Sequence, residues 1–373
     1  MKNTTLYLHI PFCKQACHYC DFHFSTVLSN ENEVLARMLE ELAEQQNAWS
    51  DFEYSSLYFG GGTPSILATG LLESLINKAT ELYRFRADAE VTLEANPDDI
   101  TPGRLAQWHR IGINRLSVGL QSFDDRELTM MNRAHHAKHS LQCLQWISES
   151  PFENYTVDLM YGIPGSTVDS WKEQLHTLAS FRPPHLSCYA LTVEEKTVLH
   201  HQVKTGKVSP PADAIIVKQF AVLHQWATTH GYAHYELSNF AQPGMHSQHN
   251  SHYWTGGPYL GIGPGAHSFD GTRRWWNISN NTLYAKGTKP TEELLSPQDI
   301  LHERLIVRLR TAGGFRWEED FPAELGQAKQ FDLEQEVARA VAQGELVTQE
   351  TGFTIPIERW MESDRIIAQL FLD

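Results

Sequence analysis

Cysteine is scarce. There are five in 373 residues, and three of them fall within eight positions. An odd, clustered set excludes the paired disulfide framework of a small secreted protein and points to a reducing cytosol. Positive charge is also short: 30 Lys and Arg stand against 45 Asp and Glu, a net charge of −15 with histidine neutral. That deficit argues against a nucleic-acid partner, although a local patch can still hold a small anion. No run approaches the roughly 18 apolar residues of a membrane span. The opening MKNTTLYLHIPFC lacks the basic start, long apolar stretch and cleavage site of a signal peptide. Low-complexity segments are missing too, as is any repeat beyond an alternation of strand and helix. What remains is a chain of ordinary apolar and charged content, long enough for about two domains or for one large α/β barrel with an appendage.

Short β-rich runs recur at TLYLHI (5–10), SSLYFG (55–60), EVTLEA (90–95), RLSVGL (115–120), YTVDLM (155–160) and HLSCYAL (185–191). Helix-like stretches lie near 31–49, 69–83, 102–110, 138–149, 168–180 and 213–230. This is repeated βα organisation around a parallel sheet. Six units suffice for an open, partial (β/α)6 barrel, and eight cannot be found before residue 230. The expected fold class is therefore α/β over residues 1–230. Residues 231–300 form a connecting region dense in glycine and histidine. Residues 301–373 have an α+β, winged-helix-like pattern: helical ILHERLIVRLRT and LEQEVARAVAQG, a two-stranded wing in ELVTQETGFTIP, and a final helix in IERWMESDRIIAQLFLD.

In such sheets ligands sit at the C-terminal ends of the strands. The first strand runs straight into PFCKQACHYCDF (11–22), with the spacing C-x-x-x-C-x-x-C at Cys13, Cys17 and Cys20. Thiolates this close in sequence can reach one metal centre. A structural zinc site takes four ligands, so zinc would need a fourth, such as His18 or His23. A 4Fe-4S cluster held by three cysteines leaves one iron open to a substrate or cofactor. Cys143, in a helical stretch, and Cys188, in a strand, read as core residues.

The other strand ends carry GGGTPS (60–65), LEANP with Glu94, GLQSF with Gln121, and Asp158 in the fifth strand; Arg133 follows in MMNRAH, and Tyr7 lies on the first strand. Glu94, Gln121 and Asp158 can accept from an amine or from ribose hydroxyls, and Arg133 can pair with a carboxylate. With Tyr19 before the last cysteine, the cysteine loop resembles the signature of the radical S-adenosylmethionine (SAM) superfamily. The resemblance implies a 4Fe-4S cluster on Cys13, Cys17 and Cys20 whose open iron chelates SAM. It also implies that Gly61, Gly62 and Thr63 receive the SAM amino group, within a pocket completed by Tyr7, Glu94, Gln121, Arg133 and Asp158.

From residue 5 onward, LYLHIPFCKQACHYCDF, FGGGTPS, EANP, NRLSVGLQSF, DLMYGIPG and VRLRTAGGF resemble the coproporphyrinogen III oxidase-like branch of that superfamily. The branch contains an oxygen-independent oxidase and a heme chaperone. Three features favour the chaperone. The cysteine strand begins at residue 5, without the oxidase's longer N-terminal extension. Asp21 and Phe22 follow the last cysteine where the oxidase continues with a further cysteine-containing stretch. HNSHYW (249–254) matches the chaperone's H-N-x-x-Y-W heme motif.

A neutral imidazole is a good axial ligand to heme iron, and tyrosine and tryptophan can border a porphyrin face. His249, Asn250, Tyr253 and Trp254 are thus the expected heme residues, with His249 on the iron and His252 and His267 as further candidates. C-x-x-C-H is absent, so c-type attachment is not expected. The resemblance implies a cytoplasmic chaperone that passes heme to an unidentified membrane or respiratory acceptor, with a homodimer as its oligomeric form and enzymatic turnover only in the oxidase reading. A zinc-stabilised scaffold is the third reading.

Overall fold

Six strand–helix units run through the first 230 residues of the computed structural model, which describes residues 2–372. Met1 and Asp373, the ends of the first and last expected segments, lie outside the described residues. The strands are β1 (Lys2–Ile10), β2 (Phe52–Gly61), β3 (Phe85–Ala95), β4 (Arg115–Gln121), β5 (Asn154–Tyr161) and β6 (His185–Ala190). Between and after them come α1 (Glu31–Gln45), α2 (Thr69–Leu82), α3 (Pro102–Arg110), α4 (Asp125–Met130), α5 (Ala137–Ser148), α6 (Val168–Ala179), α7 (Val198–Lys204) and α8 (Asp213–Thr229). The short α4 and α7 were not expected. Helix α3 shows how local sequence sets a boundary: Thr101 accepts from the Arg104 N–H as N-cap, and Pro102 occupies the first turn, where its missing N–H costs nothing.

β1 to β6 pair in order, all parallel. Residues 231–300 then extend this sheet at both edges. β7 (Ala233–Glu236) and β8 (Asn239–Ala241) add beside β6, antiparallel. After α9 (Gln248–Trp254), β9 (Tyr259–Ile262) lies parallel to β1, making a seventh parallel strand; β10 (His267–Phe269), β11 (Arg273–Trp276) and, after α10 (Asn281–Ala285), β12 (Thr291–Leu294) continue outward antiparallel. The result is an open sheet of order β12-β11-β10-β9-β1-β2-β3-β4-β5-β6-β8-β7.

The C-terminal part holds α11 (Pro297–Arg308), β13 (Phe315–Arg316), α12 (Trp317–Asp320), α13 (Gly326–Ala342), β14 (Val347–Gln349), β15 (Gly352–Thr354) and α14 (Ser363–Ala368). The expected two-stranded wing gains β13 as a third strand. The single final helix expected from residue 357 is instead a 3-10 segment, Ile357–Glu362, followed by α14. The break comes where Trp360 turns into the core and donates from its indole to the Ile355 carbonyl, 2.9 Å away. Among the described residues no helix is long and apolar enough to cross a membrane.

The strands alternate sharply, although parallel strands buried on both faces usually read as continuous apolar runs. Leu6, Leu8 and Ile10 on β1, Leu57 and Phe59 on β2, Leu116 and Val118 on β4, and Val157 and Leu159 on β5 are all fully buried. They pack with the apolar stripes of the helices, such as Val34, Leu35, Met38 and Leu42 of α1. Each such side chain contributes about 1.5–3 kcal/mol relative to exposure.

The period of two puts a polar set on the opposite face: Tyr7 and His9, Ser56 and Tyr58, Glu90 and Glu94, Arg115 and Ser117, Thr156 and Asp158, His185 and Ser187. Across that face runs a buried chain. Arg115 Nε lies 3.7 Å from Glu90, and its guanidinium donates to Thr156. The Thr156 hydroxyl is 2.9 Å from His185 Nδ1, and His185 Nε2 is 2.7 Å from the Tyr235 hydroxyl. Burying so much polarity is tolerable because each residue of that buried chain has a hydrogen-bond or ion-pair partner, although Arg115 Nε itself has none within hydrogen-bond distance.

Candidate cofactor site and an adjoining cavity

The cysteine loop is fastened on three sides. Gly62 N–H donates to the Ile10 carbonyl at 2.9 Å and Thr63 N–H to Phe12 at 2.7 Å. The glycines are needed for this approach: Gly61 has φ +108°, and a Cβ there would come within 2.5 Å of the His9 ring. On the far side, Asn132 reaches the Ala16 carbonyl at 2.7 Å, and His18 Nδ1 the Met130 carbonyl at 2.9 Å. Lys14 clamps the outer edge to Asp98, at 2.9 Å, and to Asp99.

Cys13, Cys17 and Cys20 line one cavity of about 440 Å³ together with Gly61, Gly62, Thr63, Glu94, Gln121, Arg133 and Asp158. Tyr7 is the one proposed SAM residue that does not reach this cavity. It lies a layer below, its hydroxyl 3.2 Å from His9 Nδ1. Arg133 is the hub. It sends Nη1 to Cys17 Sγ at 3.3 Å and Nη2 to Asn96 and the Gly119 carbonyl at 2.8 and 2.7 Å. Thr63 donates to Cys13 Sγ at 3.4 Å. Asn96 was missed in the sequence, although it sits inside the quoted EANP. Gln121 holds a left-handed φ of +66° at the end of β4, an uncommon and costly conformation for a non-glycine residue.

Burial dominates the electrostatics. It pushes Glu94 up to about 7, against hydrogen bonds from the Tyr58 hydroxyl and the Gly61 N–H and with repulsion from Asp158. It raises Asp158 to about 6, opposed by Ser117. The Cys13 and Cys20 thiols rise to about 11 and about 12, again through burial. A cationic ligand group facing Glu94 and Asp158 would restore their charge. Among the described residues no three His, Cys, Asp or Glu side chains converge on a point suited to a single metal ion; the three thiols instead share one cavity wall. His18 is tied to Met130, and His23 Nε2 lies 2.7 Å from Asn281 Oδ1.

The motif helix α9 stands on the same inner face. Its N-cap Ser247 accepts from Asn250 N–H, and the buried Glu90 carboxylate accepts from Ser247 Oγ and from the N–H groups of Gln248 and His249 at 2.9–3.2 Å. A carboxylate at a helix N-terminus satisfies orphan donors and opposes the helix dipole. A larger cavity, of about 690 Å³, opens beside the helix and is lined by Asn250, Tyr253 and Trp254, with Tyr259, Phe269, Arg274 and Arg304 opposite. Tyr189 borders both cavities.

His249 does not line either cavity. Its ring is buried and stacked on Tyr58 at 4.6 Å, with Nδ1 2.8 Å from Ser56 Oγ and Nε2 unpartnered. Burial holds its pKa well below the usual imidazole range. His252 Nε2 lies 2.7 Å from the Pro258 carbonyl, and His267 stacks on Trp276; neither reaches the cavity. The cavity's opposite wall, made by Tyr259, Arg274 and Arg304, went unrecognised in the sequence, where no motif marks it.

The radical SAM superfamily model matches residues 7–178. A protein named heme chaperone HemW from Bacillus subtilis is 33% identical over 316 residues, covering 82% of this chain and 83% of its own. The one from Escherichia coli is 35% identical over 268 residues, 70% of this chain and 69% of its own. A mitochondrial radical S-adenosyl methionine domain-containing protein 1 from Bos taurus is 32% identical, covering 99% of this chain and 87% of its own. Among solved structures, coproporphyrinogen III oxidase (HemN) from Escherichia coli superimposes with a TM-score of 0.84 over 99% of this chain and 90% of that one, at 21% identity, and so shares the fold. The superfamily implies a 4Fe-4S cluster and SAM. Three thiols that line one cavity with the buried carboxylates of Glu94 and Asp158 are a donor set that fits both. On its sequence relatives, this chain belongs to the HemW heme chaperone family of radical SAM proteins.

Proposed function

We propose that this chain is a heme chaperone that binds heme in the cavity beside α9 and passes it to a heme-requiring acceptor protein. The observation that carries the reading is the position of Asn250, Tyr253 and Trp254. Three residues of the expected heme motif stand on one wall of an aromatic cavity whose size suits a cofactor, within the roughly 300–1,000 Å³ of small-molecule sites. Trp254 and Tyr253 offer ring faces to a flat apolar ligand. Arg304 offers a cation to a carboxylate at its edge.

In the neighbouring cavity, Cys13, Cys17 and Cys20 would hold the cluster as thiolates. Gly61, Gly62, Thr63, Glu94, Gln121, Arg133 and Asp158 would hold SAM, with Tyr7 supporting His9 beneath the glycine turn. When bound, a cluster with one open iron supplies single electrons to SAM. In this chain, Glu94 and Asp158 would take up the cationic end of SAM by losing their protons, and Arg133 orients Cys17. Residues 1–230 would carry this centre, 231–300 the heme motif, and 301–373 would close the heme cavity through α11.

The test is a hemin titration of the anaerobically reconstituted protein, followed by its Soret absorbance. Saturation near one heme per chain is expected, weakened about tenfold by Trp254→Ala, since lost aromatic contact is worth about 1 kcal/mol or more. No saturable binding would overturn the proposal, and coproporphyrinogen turnover with SAM and a reductant would then be the assay for the oxidase reading.

A further inference from the structure

The charged residues that line the cavity beside α9 are Glu236, Arg274, Glu303 and Arg304. They are not equivalent. Arg274 and Glu303 pair with each other, and Glu293 stands 3.7 Å from Arg274 on its other side. That leaves one cation and one acid. The cation is Arg304. Its Nη1 donates to the Asp320 carbonyl at 3.0 Å. The Asp320 carboxylate is taken by Arg308 Nε and by the Arg316 N–H, both at 2.8 Å. Among the described residues no carboxylate lies within ion-pair distance of Arg304, in a chain whose net charge is −15. Its stem packs on the turn that follows Trp254: a Cβ on Gly256 would lie 3.7 Å from Arg304 Cγ. The guanidinium is thus tethered by one nitrogen and keeps its other donors free, which suits a ligand carboxylate.

The acid is Glu236. Arg304 lies on α11 about one turn before that helix ends at Arg308, whereas Glu236 bridges Thr311, beyond that end. The two charges therefore stand at different places along the wall. Glu236 Oε2 accepts from the Ser238 N–H at 3.1 Å, and Oε1 has no hydrogen-bond partner. Burial lifts its pKa to about 7. A ligand carboxylate set against it would bury a second acid beside the first with no cation for either, which is costly.

Resting on the heme-chaperone reading, we infer that Arg304 and Glu236 are specificity-determining residues: Arg304 seats the propionate edge of heme, and Glu236 keeps carboxylates away from the rest of the rim. Heme carries both of its carboxylates on one edge. A coproporphyrin carries one on each pyrrole ring and cannot hold all of them away from Glu236. The cavity therefore selects tetrapyrroles whose carboxylates are confined to one side.

Parallel Soret titrations of the anaerobically reconstituted full chain with hemin, hemin dimethyl ester and iron(III) coproporphyrin, in one buffer with mild detergent, test this before any mutation is made. Hemin is expected to bind at least about tenfold more tightly than either of the others, the fold-change of 1.4 kcal/mol. Arg304→Met, which keeps a stem over Gly256, brings hemin down to the level of its ester and leaves the ester within about twofold. Glu236→Gln narrows only the gap between hemin and iron coproporphyrin. Equal binding of hemin and its ester by the unmodified chain would overturn the inference while leaving the chaperone reading intact. So would a preference for hemin over its ester that survives Arg304→Met, or iron coproporphyrin bound as tightly as hemin. Absence of saturable hemin binding to the unmodified chain would sink both.

Discussion

The cluster cavity is walled by the C-terminal halves of β2 to β6 and by the loops that follow β1 to β3, with Arg133 after α4, whereas the cavity beside α9 is walled by residues from Tyr189 to Val307 on β6, β7–β11, α9 and α11. In the first, topology decides position: polar residues on the inner face near the C-terminal ends of β2 to β5, with the loop after β1, face the same space. In the second, position follows from how a late segment folds back to add strands to both edges of the sheet. The first cavity gathers acids and thiols around one arginine. The second gathers aromatic rings, with Arg274 and Arg304 at its rim. Two sites thus share an inner face and the Tyr189 ring, yet depend on different kinds of sequence information.

The largest test of that division is Cys17→Ser. It removes one thiolate from a set of three. Iron and sulfide after anaerobic reconstitution are expected to fall at least about tenfold, because bound metal depends on the full ligand set. If the two cavities are built independently, hemin binding to the same variant changes less than about twofold, under 0.4 kcal/mol. A parallel loss of hemin binding would show that the cluster loop shapes the second cavity through Tyr189, and the comparison would collapse into a single site.

This contrast also explains what could be read from the sequence. The six units were legible from spacing, and the three thiols with Glu94, Gln121 and Asp158 line one cavity because strand position brings them together. Asn96, the Arg133 partner, was inside a quoted motif but carried no separate signal. β9 was missed because YLGI is four residues long in a glycine-rich stretch, and it becomes a strand only by pairing with β1. His249 was read as facing a ligand. α9 turns it instead toward Ser56 and Tyr58, since a seven-residue helix anchored by Glu90 can present only one side to the cavity. The motif's spacing marks the helix but does not say which side that is.

A middle-sized effect concerns pH. Glu94 titrates at about 7 in the fold against 4.5 ordinarily, and Asp158 at about 6 against 3.8. A raised carboxyl pKa means that the folded chain binds the proton more tightly than the unfolded chain. The resulting stability is complete below the unfolded pKa and is lost as pH rises through the folded one. The cluster-free protein should therefore lose stability between about pH 4 and pH 7, with Glu94 contributing on the order of 3 kcal/mol. Urea unfolding across that window measures it. Glu94→Gln should flatten the slope without moving the hemin affinity of the second cavity. An unchanged slope would mean that water reaches Glu94 more freely than its burial implies.

The smallest expected effect lies at the outer edge of the cysteine loop. The Lys14 side chain is 46% exposed, while its partner Asp99 is 4% exposed and also accepts from Ser65 at 2.6 Å. Lys14→Met leaves that buried carboxylate with a hydrogen bond, so the loss is that of a half-exposed ion pair, about 0.2–1 kcal/mol. Because the lysine is wet, salt should screen the pair. The stability difference between Lys14→Met and the unmodified chain is expected to shrink in about 1 M NaCl, where the Debye length falls to about 3 Å. Loop order depends more on the backbone bonds from Gly62 and Thr63 than on this clamp, so iron retention should fall by less than about twofold. A larger loss of iron would mean that the loop is held from its charged rim and not from the glycine turn beneath it. That would reverse the argument that the close approach at Gly61 positions the thiols.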